Sequence, residues 1–316
     1  MRPCRVPSEC PENYHEGVRR VSGAIAQAAA AGVLVGTAVW AVAAYNSDSR
    51  SIDEIAEFNA AVTRASSDAI PFEGRSDDWG RIAIYPVIED GTLNPVPEGV
   101  AADIWSAFAR MTTPRFAAEN MSAMRIASAP DNPVAAEVER ASVRPLRWTL
   151  TVNLASQAER DDYLRTLVHE YAHLLTLDDD QLDAFAAACT TTRVQEGCLL
   201  EGSTLQRFFE RFWEPYAGLA PEADSVSQPE NWHHYYDHAD DFVTVYAAMN
   251  VVEDIAESFT EFVVRDPPSP DSGTWAKKIL FFWEDPEYVA IRAHIRGWFG
   301  PELPEPLLPT STTHRG

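Results

Sequence analysis

Residues 164–175 contain the pattern that most constrains the fold: His-Glu-Tyr-Ala-His at positions 169 to 173, in a mostly apolar run. Residues four apart lie on one face of a helix, so His169 and His173 point to the same spot. Two neutral imidazoles at this spacing suit Zn²⁺, and Glu170, one step round the helix, can reach a metal-bound water. The apolar residues bury the rest of the helix. The segment therefore predicts a zinc-binding helix.

The alternative is a chance occurrence of the pattern in a chain with eight histidines. Burying two histidines beside a glutamate is unfavourable unless a metal or hydrogen-bonding partners compensate. A third ligand elsewhere in the chain is therefore the deciding feature.

Charge narrows the range of partners. The chain has 316 residues, enough for one or two domains, and carries 25 basic against 48 acidic residues. Phosphate groups would be repelled by this excess, which argues against nucleic acid or an anionic membrane surface as a partner. A peptide or protein substrate is compatible with it.

An Ala- and Val-rich run covers residues 24–45, with Arg19 and Arg20 before it and polar residues after it. Its length suffices to span a bilayer. It is either a cleaved signal peptide, with small residues at 41–43, or an uncleaved membrane anchor; a buried helix of a soluble protein is the third interpretation. Both leading interpretations place the rest of the chain outside the cytoplasm, secreted or anchored by this segment.

The cysteines agree with export. Cys189 and Cys198 lie beyond the apolar run, and in an oxidising compartment they predict a disulfide that closes a short loop. Two free thiols are the alternative. A cysteine zinc site is less well supported, because no second close pair completes it.

The remaining pattern predicts an α+β protein with a mostly helical C-terminal half. We divide it into an N-terminal segment 1–45, a domain 46–300 (an N-terminal part 46–145 and a catalytic part 146–300) and a disordered tail 301–316, rich in Pro and Thr. Helices are expected at 51–67, 100–111, 182–188, 203–212 and 288–298, and strands at 79–88 and 147–154.

The strand at 147–154 alternates apolar and polar residues, which predicts that it is half-buried. An antiparallel or edge strand just ahead of such a helix is where zinc peptidases hold an extended substrate, by adding the peptide to the sheet. An ordinary core strand is the alternative. Downstream, His233, His234 and His238 form a His-rich patch; metal binding is one interpretation, and a solvated surface is favoured.

Residues 242–264 supply a candidate third ligand. Glu253 and Glu257 are four apart, hence on one face of a helix that is otherwise apolar. Such a carboxylate pair is unfavourable to bury unless it meets a cation or hydrogen-bond donors. A zinc ligand together with a carboxylate that accepts from a ligating histidine satisfies both. A solvated acidic stripe is the alternative.

The combined pattern, His-Glu-x-x-His followed by Tyr-x3-Asn-x2-Glu-x3-Glu-x-Phe, resembles the gluzincin zinc peptidases, specifically the branch with the anthrax-lethal-factor-type protease domain. The resemblance covers about residues 164–264. It implies a zincin-like fold in which the edge strand of a small sheet precedes the histidine helix. It also implies roles for residues at the matching positions: Glu253 as third zinc ligand, Glu257 hydrogen-bonded behind the ligands, Tyr246 near the metal, and matches at Asn250 and Phe259.

One departure from the family pattern is the long separation of His173 from Glu253. The inserted part holds the cysteine loop and the helix at 203–212, and it bears on the shape of the substrate cleft more than on the chemistry. A different third ligand is Asp179, six residues after His173, where metzincin-like peptidases place theirs. That family has Gly three residues after the second His, and this chain has Thr176 there. Glu253 is the better candidate.

The resemblance implies metal-assisted hydrolysis. Zinc held by His169, His173 and Glu253 activates water, Glu170 transfers the proton, and Tyr246 stabilises the oxyanion. Two rivals stand beside this expectation. One is a catalytically silent surface domain with a structural zinc, and the other is a zinc hydrolase of a non-peptide amide.

Overall fold

The computed structural model describes residues 72–76, 79–141, 146–156, 160–216 and 229–307. The apolar run 24–45 and the helix expected at 51–67 lie outside these ranges. No helix in the described part of the chain is long and apolar enough to cross a bilayer. The mixed α and β composition is confirmed.

A five-stranded sheet forms one layer of the protein. Its strands are β1 (Phe72–Ser76), β2 (Gly80–Pro86), β3 (Met121–Ala127), β4 (Ala136–Arg140) and β5 (Trp148–Asn153), in the order β1-β2-β3-β5-β4. β3 and β5 run parallel, and the other three pairings are antiparallel. One face of the sheet packs on the helices, and the other buries a small cluster around Trp79.

The expectation that an edge strand precedes the histidine helix is wrong. β5, which precedes that helix, lies between β3 and β4, and the edge strands are β1 and β4. All six residues of β5 are buried, so the prediction of a half-buried strand is also wrong. Two of its polar residues are accommodated by hydrogen bonds. The hydroxyl of Thr149 pairs with that of Ser122, and the side chain of Asn153 donates to the backbone carbonyl oxygens of Ala129, Asn132 and Val134.

The described ranges contain eight α-helices. They are α1 (Val100–Thr112), α2 (Pro114–Asn120), α3 (Arg160–Thr176), α4 (Thr204–Phe212), α5 (Pro229–Asp237), α6 (Val251–Val264), α7 (Thr274–Phe281) and α8 (Pro286–Phe299). α3 carries the His-Glu-x-x-His pattern and packs between the edge strand β4 and helix α6. Leu164, Leu167 and Val168 of α3 are fully buried, as its apolar pattern predicts.

Helix α6 is stabilised at both ends. Asn250 caps its N-terminus, because its side-chain oxygen accepts the N–H groups of Val252 and Glu253 at 2.9 and 3.0 Å. At the other end, Arg292 and Arg296 of α8 donate to the last backbone carbonyls of α6, which have no partner within the helix. Every residue of α6 except Glu257 is buried. The helix is therefore a fixed support for the side chains that it carries.

Between α3 and α4 the chain forms a second, three-stranded sheet. It consists of β6 (Leu182–Asp183), β7 (Arg193–Val194) and β8 (Gly197–Leu199), with β8 in the middle. The helix expected at 182–188 is therefore wrong. Cys189 and Cys198 form a disulfide that ties this sheet to the loop before β7.

The aromatic C-terminal region packs as core. Phe259 and Phe262 of α6 contact Phe282, and Tyr288 of α8 closes the same cluster. Residues 301–307 continue along the protein, and the N–H of Leu307 donates to the Glu261 side chain at 3.0 Å. The prediction of a disordered tail from residue 301 is thus wrong for 301–307, because the buried carboxylate of Glu261 accepts a hydrogen bond from the backbone of this segment. Residues 308–316 lie outside the described residues.

A buried ion pair between α6 and α7 gives a test of stability. Lys278 and Asp254 are fully buried with Nζ and Oδ2 2.7 Å apart, and burial leaves either charge unfavourable without the other. Lys278→Met is expected to lower the free energy of unfolding by about 3–5 kcal/mol, measured by urea denaturation, because Asp254 loses its partner. The double variant Lys278→Met/Asp254→Asn should recover most of this loss.

The control is Lys277→Met on the exposed side of α7. A loss for Lys278→Met no larger than that of the control would show that the pair does not stabilise the fold.

Candidate metal centre

The two histidines of α3 converge as their spacing predicts. Both are buried, and their Nε2 atoms lie 3.1 Å apart. Their rings are nearly perpendicular, with centroids 4.8 Å apart. Two Nε2 lone pairs therefore face a common point between α3 and α6.

Glu253 of α6 completes the cluster. Its Oε2 lies 3.1 Å from Nε2 of His169 and 3.5 Å from Nε2 of His173. Among the described residues, His169, His173 and Glu253 are the one group of His, Cys, Asp and Glu side chains that could hold a metal ion. Tetrahedral coordination at 2.0–2.1 Å would separate ligand atoms by about 3.3 Å, which matches the observed separations.

The electrostatics favour a cation at this point. Burial alone lowers the pKa of His169, but hydrogen bonds with Glu253 and Glu257 outweigh it and hold that pKa well above the usual range. Burial raises the pKa of Glu253, yet the charge of His173 and the hydrogen bonds to both histidines bring it down to about 2. Glu253 therefore stays ionised inside the protein, where a metal ion can neutralise it.

Glu257 fixes the orientation of His169. Its Oε1 lies 2.9 Å from Nδ1 of His169, and its Oε2 accepts a hydrogen bond from Thr244 at 2.9 Å. A proton on Nδ1 leaves the Nε2 lone pair free to point at the metal position. Thr244 was not identified from the sequence, since a lone Thr nine residues before the ligand carries no local signal.

Glu170 connects the cluster to the sheet edge. Its side chain is buried, and burial raises its pKa while the charges of His173 and His169 oppose the rise. It also accepts a hydrogen bond from the backbone of Val138 in β4. A carboxylate whose pKa is displaced upwards is better matched to proton transfer near neutral pH.

Tyr246 lies on the turn just before α6. Its ring centroid is 5.7 Å from that of His169, and its hydroxyl hydrogen-bonds to Glu253. Burial and the surrounding carboxylates raise its pKa well above the usual range. The phenol therefore stays protonated and can donate a hydrogen bond at the metal position.

The remaining candidates lie outside the cluster. Asn250 contacts backbone N–H groups at the start of α6, and so positions Glu253 through the helix; Phe259 packs in the core. Asp179 forms an ion pair with Arg140 at the end of β4, with its side chain 48% exposed. The structure thus gathers Glu253, and not Asp179, with the two histidines.

The His-rich patch differs from its expected solvated state. His233 is exposed, but His234 is buried against the rings of Tyr216 and Phe242. The solvated prediction is wrong for His234, because residues distant in sequence cover α5. His238 lies 3.6 Å from Asp241.

Comparison of the chain with protein-family models, with curated proteins and with solved structures finds no match.

Separate alanine substitutions of the two candidate third ligands, Glu253 and Asp179, test the cluster. Glu253→Ala is expected to weaken divalent-metal binding by on the order of 100-fold or more, because it removes a ligand rather than an outer hydrogen bond. Asp179→Ala should bind like the wild type, since Asp179 contacts Arg140 instead. Metal content by elemental mass spectrometry and titration against a competing chelator give the values. The reverse result would make Asp179 the ligand.

Proposed function

We propose that this chain is a zinc-dependent metallopeptidase that hydrolyses peptide bonds outside the cytoplasm. The observation that carries the proposal is the convergence of two histidines on α3 with Glu253, 84 residues beyond His169, next to a separate buried carboxylate, Glu170. The resemblance of the same residues to the gluzincin pattern supports it. Export rests on the apolar run 24–45, and the Cys189–Cys198 disulfide agrees with it.

Zinc is the metal that this donor set favours. Two imidazoles and one carboxylate form a typical catalytic zinc site, in which three protein ligands leave a position open. Sites for Mg²⁺ or Ca²⁺ use oxygen ligands instead, and the described cluster offers two nitrogens. Zinc, when bound, supplies a Lewis acid that lowers the pKa of water and polarises a carbonyl group.

Three residues of the protein carry out proton transfer, stabilisation of the oxyanion and orientation of a ligand. Glu170 accepts the proton of the attacking water and passes it to the leaving nitrogen. Tyr246, protonated and beside Glu253, donates a hydrogen bond to the oxygen that becomes negative. Glu257 keeps His169 in the orientation in which its Nε2 faces the metal.

The edge strand β4 is the proposed substrate-binding element. Ala135 and Ala141, at its two ends, hydrogen-bond towards β5, so residues 136, 138 and 140 direct their backbone groups to the other side. No other described strand pairs with that side. An extended peptide can therefore add to β4 within reach of Glu170, and this favours a peptide over the non-peptide amide of the rival hypothesis.

A screen of peptide mixtures tests the activity. The zinc-loaded protein should cleave peptides, a chelator should stop cleavage, and added zinc should restore it, with new termini identified by mass spectrometry. Zinc binding without cleavage of any peptide would favour the structural-zinc rival. Cleavage of non-peptide amides alone would favour the other one.

The proposed base has a matched test. Glu170→Gln keeps the shape of the side chain but cannot accept a proton, so kcat/KM is expected to fall by about 10²–10⁴-fold. Zinc content should equal that of the wild type, because Glu170 is not among the clustered ligand atoms. Retained activity would remove Glu170 from the mechanism.

Tyr246→Phe separates oxyanion stabilisation from binding. Loss of the hydroxyl is expected to lower kcat by about 10²–10³-fold with little change in KM, because the hydrogen bond forms only in the transition state. Steady-state kinetics on one cleaved peptide measure both constants. A rise in KM with unchanged kcat would make Tyr246 a substrate-binding residue instead.

A further inference from the structure

The hairpin of β7 and β8 is held against the segment that follows the histidine helix. β8 pairs with β6, Leu200 N–H donates to Gln181 O at 2.8 Å, and the Cys189–Cys198 disulfide closes the loop. Gly197 has φ +151°, and a Cβ there would lie 2.4 Å from the backbone oxygen of Asp183. The turn at 195–196 therefore has a defined position near the C-terminal end of α3.

Glu196 in this turn carries a buried oxygen with no partner. Its Oε2 is shielded from solvent and makes no hydrogen bond with the described residues. Burial raises its pKa to about 7, and the ionised side chains that act on it are His173, which lowers that pKa, and Glu253, which raises it. Both of these side chains belong to the cluster, so the Glu196 carboxylate lies close enough for their charges to act on it.

His173 likewise has a ring nitrogen without a hydrogen-bond partner. Its Nδ1 is buried and has no hydrogen-bond partner among the described residues, whereas Nδ1 of His169 contacts Glu257. Histidines that bind metals almost always donate this second ring N–H to a carboxylate, a carbonyl or a water. The Nδ1 of His169 therefore has a carboxylate partner, and the Nδ1 of His173 has none among the described residues.

We propose that Glu196 is the positioning residue of His173: its carboxylate accepts a hydrogen bond from the Nδ1–H of His173, directly or through one water, when metal is bound. The proposal rests on the metal site of the proposed function. It assigns a role to the hairpin that separates this chain from the family pattern, since the hairpin then supports a ligand of the metal. Glu196 and Glu257, on separate elements, hold the two histidines from two sides.

Metal affinity and ligand geometry test this in the full-length protein. Glu196→Ala is expected to weaken zinc binding by about 10- to 100-fold, measured by competition with a chromophoric chelator. Glu196→Gln should lose less, because its amide oxygen can accept the same hydrogen bond. In the cobalt-substituted protein, Glu196→Ala should shift the visible absorption bands, which report the orientation of the ligands. Glu201→Gln, an exposed residue just after the hairpin, is the matched control and should equal the wild type.

The outcomes are distinguishable. Wild-type affinity and an unchanged cobalt spectrum in Glu196→Ala, with weakened binding in Glu257→Gln, would overturn the role of Glu196 and leave the proposed function intact. If Glu196→Ala does not fold, Glu196→Leu decides, because it fills the space but accepts no hydrogen bond. A shifted cobalt spectrum, in a variant whose melting temperature without metal equals that of the wild type, supports the role; an unchanged spectrum overturns it. A wild type that takes up no zinc would overturn both proposals.

Discussion

A desolvated cluster of two histidines and two carboxylates between α3 and α6 is the interaction on which the rest of the structure depends. Glu253 and Glu257 are carried by a helix that is buried almost throughout, where a lone negative charge is strongly unfavourable. In the metal-free protein, the raised pKa of His169 favours its protonated ring, and this imidazolium supplies the compensating positive charge. A divalent ion would supply it more fully, so the same burial that makes the cluster unfavourable alone creates affinity for a cation.

The scaffold keeps α6 in place against this unfavourable burial. Asn250 satisfies the N-terminal donors, two arginines of α8 satisfy the C-terminal acceptors, and Lys278 neutralises Asp254. Asp254 also accepts a hydrogen bond from Trp213 at 2.7 Å. Both ends of the helix and its buried Asp254 thus have partners from other parts of the chain. The aromatic C-terminal region therefore supports the metal centre without touching it.

What could be predicted from the sequence was local or periodic. The convergence of His169 and His173 follows from helical spacing. The pairing of Glu253 and Glu257 with a cation or hydrogen-bond donors follows from their position on an otherwise apolar helix face, where lone carboxylates are unfavourable to bury. The features that were missed depend on contacts between distant segments. Strand order made β4 the edge instead of β5, tertiary contacts buried His234, and the positions of Thr244 and Glu196 follow from loops whose paths no short pattern encodes.

The position of Glu170 links substrate binding to proton transfer in the proposed reaction. Its carboxylate accepts a hydrogen bond from the backbone of Val138 on the free side of β4 and interacts with the charges of both histidines of the cluster. A peptide that pairs with β4 must lie next to this carboxylate, so its register relative to the base is set by backbone geometry and not by its side chains. The Val138 N–H is already engaged, which leaves the neighbouring outward groups of β4 to hold the peptide.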